Sequence, residues 1–593
     1  MRPITVMSVI YRLWASTRME ELGEWQKAWI SEDVTGYRSV MGCEDVWYCE
    51  ALDVEEALLS GVPLCGLTLD FARAFDNLPQ EVLLTAAERM GMPQPVLLAL
   101  RGMYAGLERH FRLGPLVGKG FKSTNGILQG CPLSVLLLNI FAEIWTRAVK
   151  SRVPACKPRS YADDVGTTAP DAATLEAVLK VTEELDDATG MSVKASKSAA
   201  WATTATLRKD ISNLTIHGEA LPVSGEERRL GAQLSYSRKR SKAVLSRKLG
   251  ECERICLRVG GLLAPFGLRA ALVGALVMTK ATYSCAASPP SKRDSQRLRV
   301  ACSRAIWGQA NRWRSNHVLH SLLTAGHKTD PQQACAYNTL VTIRRILRRR
   351  PECSLQLQRI MQMRREQNAS NLPGPGLALH HALRRMGATM EWLHYGPALQ
   401  FSSPQVARDM NNEINLLTDC KGLLLHTLRD ALRSQQWSAL HRAREGYDGV
   451  QHGVLRKPTM ALECRLSGLA KYRWRCVMAG AVPTGNRLFR MGWAESAECQ
   501  LCGTGAKETW RHLVDDCPAV DGVRYRELRP VAWHTLPDCL RLRGIVPESL
   551  LPAPDWANQG WQEEVAAIVQ YTLLGLMEAR EAAMPHLAPQ PRW

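Results

Sequence analysis

The spacing of apolar and polar positions changes character once along the chain. Up to about residue 236, short apolar runs alternate with amphipathic stretches of helical period. Trp-rich amphipathic pieces at 11–14 and 21–30 read as helices, and residues 64–69 form a short apolar run ending in Asp70. That is the pattern of a buried strand delivering a polar residue at its carboxyl end. Helical periods follow at 80–90 and 95–107, then a strand pair near 110–113 and 121–128. A helix is expected from Pro132 to about residue 150, since Pro is well tolerated in a first turn. Residues 160–168 read as a hairpin, 171–188 as a helix closed by Gly190, and strands recur near 198–203, 214–217 and 229–236. The expected fold class is α+β, with helices packed on one antiparallel sheet.

Beyond residue 236 the pattern becomes helical and more basic. Arg238, Lys239, Arg240, Lys242, Arg247 and Lys248 open this part, and 344–350 (Arg-Arg-Ile-Leu-Arg-Arg-Arg) form a second basic run. Three readings of that run stand open: a solvated helix face, a nuclear-import signal or a nucleic-acid contact. Residues 368–376, with two prolines and two glycines, are the best linker candidate. No internal repeat is visible. The chain of 593 residues exceeds one hydrophobic core. It divides on these patterns into 1–236, 237–345, 346–475, 476–525 around a cysteine-histidine cluster, and an unassigned tail at 526–593.

Charge changes this picture more than composition does. Lys and Arg number 75 against 57 Asp and Glu, a surplus of 18 that favours a polyanionic partner, nucleic acid before membrane. The most apolar stretch, 270–278, is about half a bilayer span, so no membrane partner is expected. The 18 cysteines are sparse for a disulfide scaffold, and most stand singly in apolar stretches. The chain opens without a secretory signal pattern. These features point to a reducing compartment, nucleus or cytoplasm.

Tyr161-Ala-Asp-Asp164 carries the sharpest chemistry. Two adjacent acids at a hairpin tip repel each other unless a cation neutralises them, and only a turn lets successive side chains approach one ion. With Asp70 at the end of the earlier strand, three carboxylates are what two Mg²⁺ (or Mn²⁺) ions need for in-line displacement at a phosphate. Taken alone the motif competes with a solvated turn, where Asp is common.

The surrounding segments, in order, resemble the reverse transcriptase family in its non-LTR retrotransposon (LINE-type) branch. Leu67-Thr-Leu-Asp-Phe-Ala-Arg-Ala-Phe-Asp76 looks like the first palm motif and Asn125-Gly-Ile-Leu-Gln-Gly-Cys-Pro-Leu-Ser134 the second, with Asn139 in place. Tyr161-Ala-Asp-Asp164 is the third, and Gly190-Met-Ser-Val-Lys-Ala-Ser-Lys-Ser198 is similar to the fourth. Leu230-Gly-Ala-Gln-Leu234 resembles the strand after the palm, and Arg2-Pro-Ile-Thr-Val opens like a fingers motif. The resemblance implies a right-hand palm and fingers in 1–236 and a helical thumb and connection in 237–345. It also implies RNA-directed DNA polymerase activity, with an RNA template, a DNA primer or target and dNTPs as partners. Asp70 and Asp163 would be the principal metal ligands with Asp164 beside them. Phe75 would screen the incoming sugar, Gln129 and Gly130 would line the nucleotide pocket, Arg2 would clamp the triphosphate, and Lys197 would protonate pyrophosphate. Asp76 reads as structural. Two positions depart from the pattern: Cys131 stands where an acid is usual, and Lys194 where Asn is usual. The family has further fingers sequence, often with an endonuclease, before the segment at Arg2, so the chain reads as an N-terminally truncated copy. The competing expectation is an inactive or repurposed retroelement protein that only binds nucleic acid. An intron maturase is disfavoured by the zinc segment.

Cys499, Cys502, His512 and Cys517 have zinc-finger spacing, with Gly503 permitting the turn after the pair. The run from Pro483-Thr-Gly-Asn-Arg-Leu to Cys517-Pro518, including Glu508-Thr509, resembles the zinc-binding segment found downstream of such reverse transcriptases. One structural Zn²⁺ is expected. Cys252 and Cys256 lack further ligands and read as core. Asp538 and Asp555 are too isolated to suggest a nuclease.

Overall fold

The computed structural model describes residues 5–238, 243–308, 313–369, 371–407, 410–524, 533–548 and 561–584. Arg2, Lys239, Arg240, Lys242 and Asp555 lie outside them. The chain forms two compact units: 1–245 with 286–289 and 345–378, and 246–285 with 290–344 and 379–593. The polypeptide therefore returns to the first unit after residue 344, an excursion that a division into successive segments does not anticipate.

The first unit is built on a four-stranded antiparallel sheet. β1 (Cys65–Asp70), β6 (Lys157–Tyr161), β7 (Asp164–Ala169) and β8 (Ala199–Ala202) lie in the order β6-β7-β1-β8. Between β1 and β6 come two short ladders, β2 (Glu108–Arg109) with β5 (Phe121–Lys122) and β3 (Arg112–Leu113) with β4 (Leu116–Val117). The sequence predicted a longer second strand; after residue 122 the chain instead runs to Pro79, bridged to Asn125.

Strand alternation gives the sheet two unlike faces. Leu67, Leu69 and Val165 are buried in the main apolar core with residues of α7 (Pro132–Arg152) and α8 (Ala172–Thr189). Phe71 meets Phe141 of α7 edge-on at 5.1 Å, and the Trp145 indole donates to Thr182 of α8. By length and composition α7 would suit a bilayer, but 72% of its apolar window is buried within the protein, so it is a core helix. Gly190 closes α8 in the left-handed conformation, φ 69°.

The opposite face is polar. Thr68, Asp70, Arg159, Asp164 and Gly166 share it by register, and their partners come from α3 (Cys43–Ser60) and from a ribbon of β11 (Glu226–Arg229) and β12 (Ala232–Ser235). Between β8 and this ribbon lies the small β9 (Thr215–Ile216) and β10 (Glu219–Ala220) ladder. Arg159 pairs with Asp53 of α3 at 2.6 Å, and Thr68 donates to Glu227 of β11 at 3.0 Å.

Helix α3 is almost wholly buried although it carries Asp45, Glu50, Asp53 and Glu55. Buried charges persist only when paired, and arginines of the basic run and of the helix after it supply several of the partners. Arg345 pairs with Glu44, Arg349 with Asp45 at 2.8 Å, Arg359 with Glu56 at 2.8 Å and Arg364 with Glu55. In the second unit Arg344 donates to the carbonyls of Leu416 and Asp419. The three open readings of 344–350 thus give way to a fourth, since most of the arginines are held by internal acceptors. The linker expectation for 368–376 also fails. Gly376 donates to Glu55 at 2.7 Å, and a Cβ on Gly374 would sit 2.3 Å from the same carboxylate, so these glycines serve close packing.

The second unit is mainly helical, with the helices Lys292–Trp307, Lys421–Ala443 and Trp561–Ala583 among its longest. Where the sequence predicted a purely helical basic region, a meander of β13 (Ala388–Leu393), β14 (Gly396–Phe401) and β15 (Glu413–Asn415) intervenes. Its first turn places Gly396 at φ 120°. Cys252 and Cys256 are buried, as core packing requires.

Candidate active site

Asp70 and Asp164 lie directly opposite each other across β1 and β7, so their side chains leave the sheet on the same side at its end. Tyr161 faces Asp164 across the hairpin, which leaves Ala162 and Asp163 as a two-residue turn with Ala162 at φ 57°. Strand, turn and strand thus carry three acids to one edge. The turn is backed by the 34–36 segment: Thr35 donates to the Ser160 carbonyl at 3.0 Å, and Asn139 donates to the Gly36 carbonyl at 2.8 Å. A Cβ on Gly36 would lie 2.4 Å from the Ala162 nitrogen, so only glycine lets the two backbones meet. Tyr37 and Tyr161 flank the turn with ring centroids 5.8 Å apart. Burial, then the Asp163 charge, raises the Tyr37 phenol above its usual range.

The three carboxylates have different surroundings. Asp70 is partly exposed and pairs with Lys197 at 3.1 Å; its backbone N–H donates to Ser198. Asp163 sits in the turn, half-buried. Asp164 forms an ion pair with Arg229 of β11, a fully buried arginine that also faces Glu50 of α3 at 3.5 Å. Glu50 accepts from the Tyr236 hydroxyl at 3.0 Å, and Glu227 accepts from the same hydroxyl at 3.1 Å. Burial, then the neighbouring Glu50 charge, pushes Glu227 up to about 7. Neither Arg229 nor Glu50 was singled out from sequence. The signal available was the Glu-Glu-Arg-Arg run at 226–229, whose period of two sends Glu227 and Arg229 to one face.

The remaining predicted residues lie beside the first and second motifs. Phe75 is half-buried, its carbonyl accepting from Ile127 at 2.7 Å, and the Gln129 amide donates to Asp76 at 3.3 Å. A Cβ on Gly126 would come within 2.5 Å of the Asp76 carbonyl, so the two motifs dock backbone to backbone. Gly130 is exposed at φ 102°, and the Thr5 N–H donates to the Gln129 carbonyl at 3.1 Å. Cys131 is buried against the Tyr11 hydroxyl at 3.2 Å, where a carboxylate would be desolvated. Hard oxygen donors of partial exposure at a strand end suit Mg²⁺, which keeps several waters. The residues present fit such an ion.

In the second unit Cys499, Cys502, His512 and Cys517 bring their ligand atoms within 4.8 Å of one another. The Cys499 and Cys517 sulfurs are 3.9 Å apart, and Cys502 Sγ is 3.5 Å from His512 Nε2. A tetrahedron with Zn–S of about 2.3 Å and Zn–N of about 2.05 Å has S···S and S···N edges of roughly 3.8 and 3.5 Å. Gly503 adopts φ 61°, the Cys499 N–H donates to Ala506, and Thr509 accepts from the His512 N–H. Glu508 accepts from Gly485 N–H and from Arg580 Nε, both at 2.8 Å, in a fully buried ion pair. Among the described residues no other group of three such ligands is drawn so close; the aspartates of the first unit are not.

Residues 1–223 match the family model for reverse transcriptase (RNA-dependent DNA polymerase). Among solved structures, the telomerase from Candida albicans in complex with the TWJ fragment of telomeric RNA aligns with 11% identity and a TM-score of 0.31. That alignment covers 61% of this chain and 54% of the telomerase chain, so the protein spans about half the length of the structure it matches. At that level the likeness adds nothing to the assignment, which rests on the family match and the palm sheet. Residues 1–223 form a reverse transcriptase domain.

Proposed function

We propose that this chain is the reverse transcriptase of a non-LTR retrotransposon, extending a DNA primer 3′-hydroxyl on an RNA template, in the nucleus or cytoplasm. The observation that carries this reading is the register of the palm hairpin, which sets Asp70 opposite Asp164 with Asp163 in the turn between strands. Divalent ions bound there would lower the pKa of the primer hydroxyl and neutralise charge on the triphosphate. Asp70 and Asp163 would hold those ions, and half-exposed carboxylates at a sheet end leave room for primer and nucleotide. Lys197, more than half exposed beside Asp70, would donate a proton to the departing pyrophosphate. Phe75 and Gln129 lie on the docked first and second motifs and would border the nucleotide, Phe75 excluding a 2′-hydroxyl. Gly130 would let the template or sugar approach the backbone. The Cys499, Cys502, His512 and Cys517 set would hold one structural Zn²⁺, since all four positions are filled by protein ligands. Basic residues of both units would grip the nucleic-acid backbone.

The test is primer extension on poly(rA)/oligo(dT) with dTTP and Mg²⁺, comparing the natural chain with Asp163→Ala. We expect extension that falls by at least about 10³-fold in the variant, the scale of losing several kcal/mol of metal-borne charge stabilisation. A folded, duplex-binding natural chain that extends nothing would sink the enzymatic reading.

A further inference from the structure

We propose that Arg229 is a positioning residue for the aspartate cluster, holding Asp164 in an ion pair with a buried cation so that Asp70 and Asp163 take the larger share in holding a divalent ion. The inference rests on the polymerase reading of the site and concerns a residue six positions beyond the matched segment, 229 against 223.

The argument begins with the repulsion among three acids. Asp70 and Asp164 are cross-strand partners and Asp163 adjoins Asp164, so three carboxylates crowd one sheet end. Arg229 removes one of them from play. It is fully buried and pairs with Asp164, and its Nε and Nη2 make no hydrogen bond among the described residues. Its charge is met by Asp164 and Glu50, and the Val165 carbonyl accepts from its Nη1 at 3.5 Å. Glu50 is itself fixed by the Tyr236 hydroxyl, and Tyr236 stacks on Trp201 at 4.0 Å with planes 1° apart.

The sheet is shaped to admit this side chain. Gly166, two residues along the same face from Asp164, would place a Cβ 2.8 Å from the Arg229 guanidinium and 2.6 Å from the Leu67 carbonyl. A side chain there would displace the arginine from beneath the hairpin. An arginine serving only to fill or glue the core would need neither that opening nor contact with a partly exposed aspartate. Fixing one carboxylate on a buried cation sets both the number and the direction of those left to the metal, as an outer-shell partner does.

The test uses full-length zinc-loaded protein and Mn²⁺ alone as probe, with free Mn²⁺ read by electron paramagnetic resonance and folding by thermal unfolding. Asp164→Asn is expected to change Mn²⁺ affinity less than about threefold, whereas Asp163→Asn weakens it at least about tenfold. Removing Arg229 alone would strand the buried Glu50, so the arginine is tested as Glu50→Gln with Arg229→Met. That pair is expected to fold, to bind Mn²⁺ at least about tenfold tighter through the released Asp164, and to extend primers at least about tenfold more slowly at saturating Mn²⁺. Asp164→Asn weakening Mn²⁺ as much as Asp163→Asn would overturn the proposal, and this arm does not depend on the double variant folding. So would a folded double variant with unchanged affinity and rate, which would leave Arg229 a purely structural residue. Mn²⁺ binding indifferent to Asp163→Asn would instead remove the active-site reading beneath it.

Discussion

The aspartates of the first unit and the cysteine-histidine set of the second are both clusters of metal-ligand residues, yet they are built in contrary ways. The second draws its ligands tightly together: four ligand atoms lie within 4.8 Å, three of the four residues are buried, and a buried Glu508–Arg580 pair braces the segment. The first is held apart. Asp70 is engaged by Lys197, Asp164 by Arg229, and Asp163 stands in a turn. A site that serves stability gains by satisfying every coordination position from the chain. A site that serves turnover must leave positions for substrate, and its acids are kept apart by partners that the ion and nucleotide do not replace.

The largest effect that would separate the two is loss of metal. Stripping the protein with a zinc-selective chelator, or Cys499→Ser, is expected to unfold the 484–517 segment and its attachment to the C-terminal helix. Zinc binding in such sites is worth on the order of 10 kcal/mol of folding free energy. Withdrawal of Mg²⁺ should change stability by less than about 1 kcal/mol, because Asp70 and Asp164 already have cationic partners in the protein. Calorimetry with each chelator reads both. Equal stability losses from the two treatments would abolish the distinction drawn here.

A smaller effect compares the cations beside each cluster. Glu508→Ala leaves Arg580 buried without its partner, both side chains being 1% exposed, and should cost about 3–5 kcal/mol. Lys197→Ala breaks a partly exposed pair and should cost less than about 1 kcal/mol while slowing extension. Urea unfolding of the two variants checks the contrast. If Lys197→Ala proved the more destabilising, the lysine would be a structural residue.

What the sequence disclosed, and what it hid, follows the same division. Local patterns were legible: the run ending in Asp70, the hairpin at Tyr161–Asp164, the helix opened by Pro132 and the one closed by Gly190 all rest on near neighbours in the chain. The Cys499 to Cys517 set was legible because its spacing is short. Hidden were pairings across long separations. Arg345 and Arg349 read as part of a solvated, nuclear-import or nucleic-acid-binding run because nothing local indicates that α3 will be buried with its acids facing them. Arg229 was passed over for the same reason, since its partners Asp164 and Glu50 lie 65 and 179 residues away, 229 less 164 and 229 less 50. The turn-like composition of 368–376 signalled a linker, yet its glycines are there to admit Glu55.

The smallest of these effects probes the polar face of the sheet, which has no counterpart around the cysteine set. Glu227 lies under the sheet between Thr68 and Tyr236, and burial together with Glu50 raises it from 4.5 to about 7. A carboxyl whose folded pKa is raised favours the folded state while it is protonated. Its contribution is complete below the unfolded value near 4.5 and is lost as pH climbs through about 7. At 1.36 kcal/mol per unit, and with part of the shift shared with Glu50, the loss between pH 4.5 and 8 should be roughly 2–3 kcal/mol. Hydrogen exchange, read separately for peptides of the first unit, should therefore show protection of β1 and β11 falling over that range. Glu227→Gln keeps the contacts without the charge and should flatten the profile. A variant as pH-sensitive as the natural chain would place the titration elsewhere, on Glu50 first, and would mean that the acid behind the catalytic hairpin is ionised throughout.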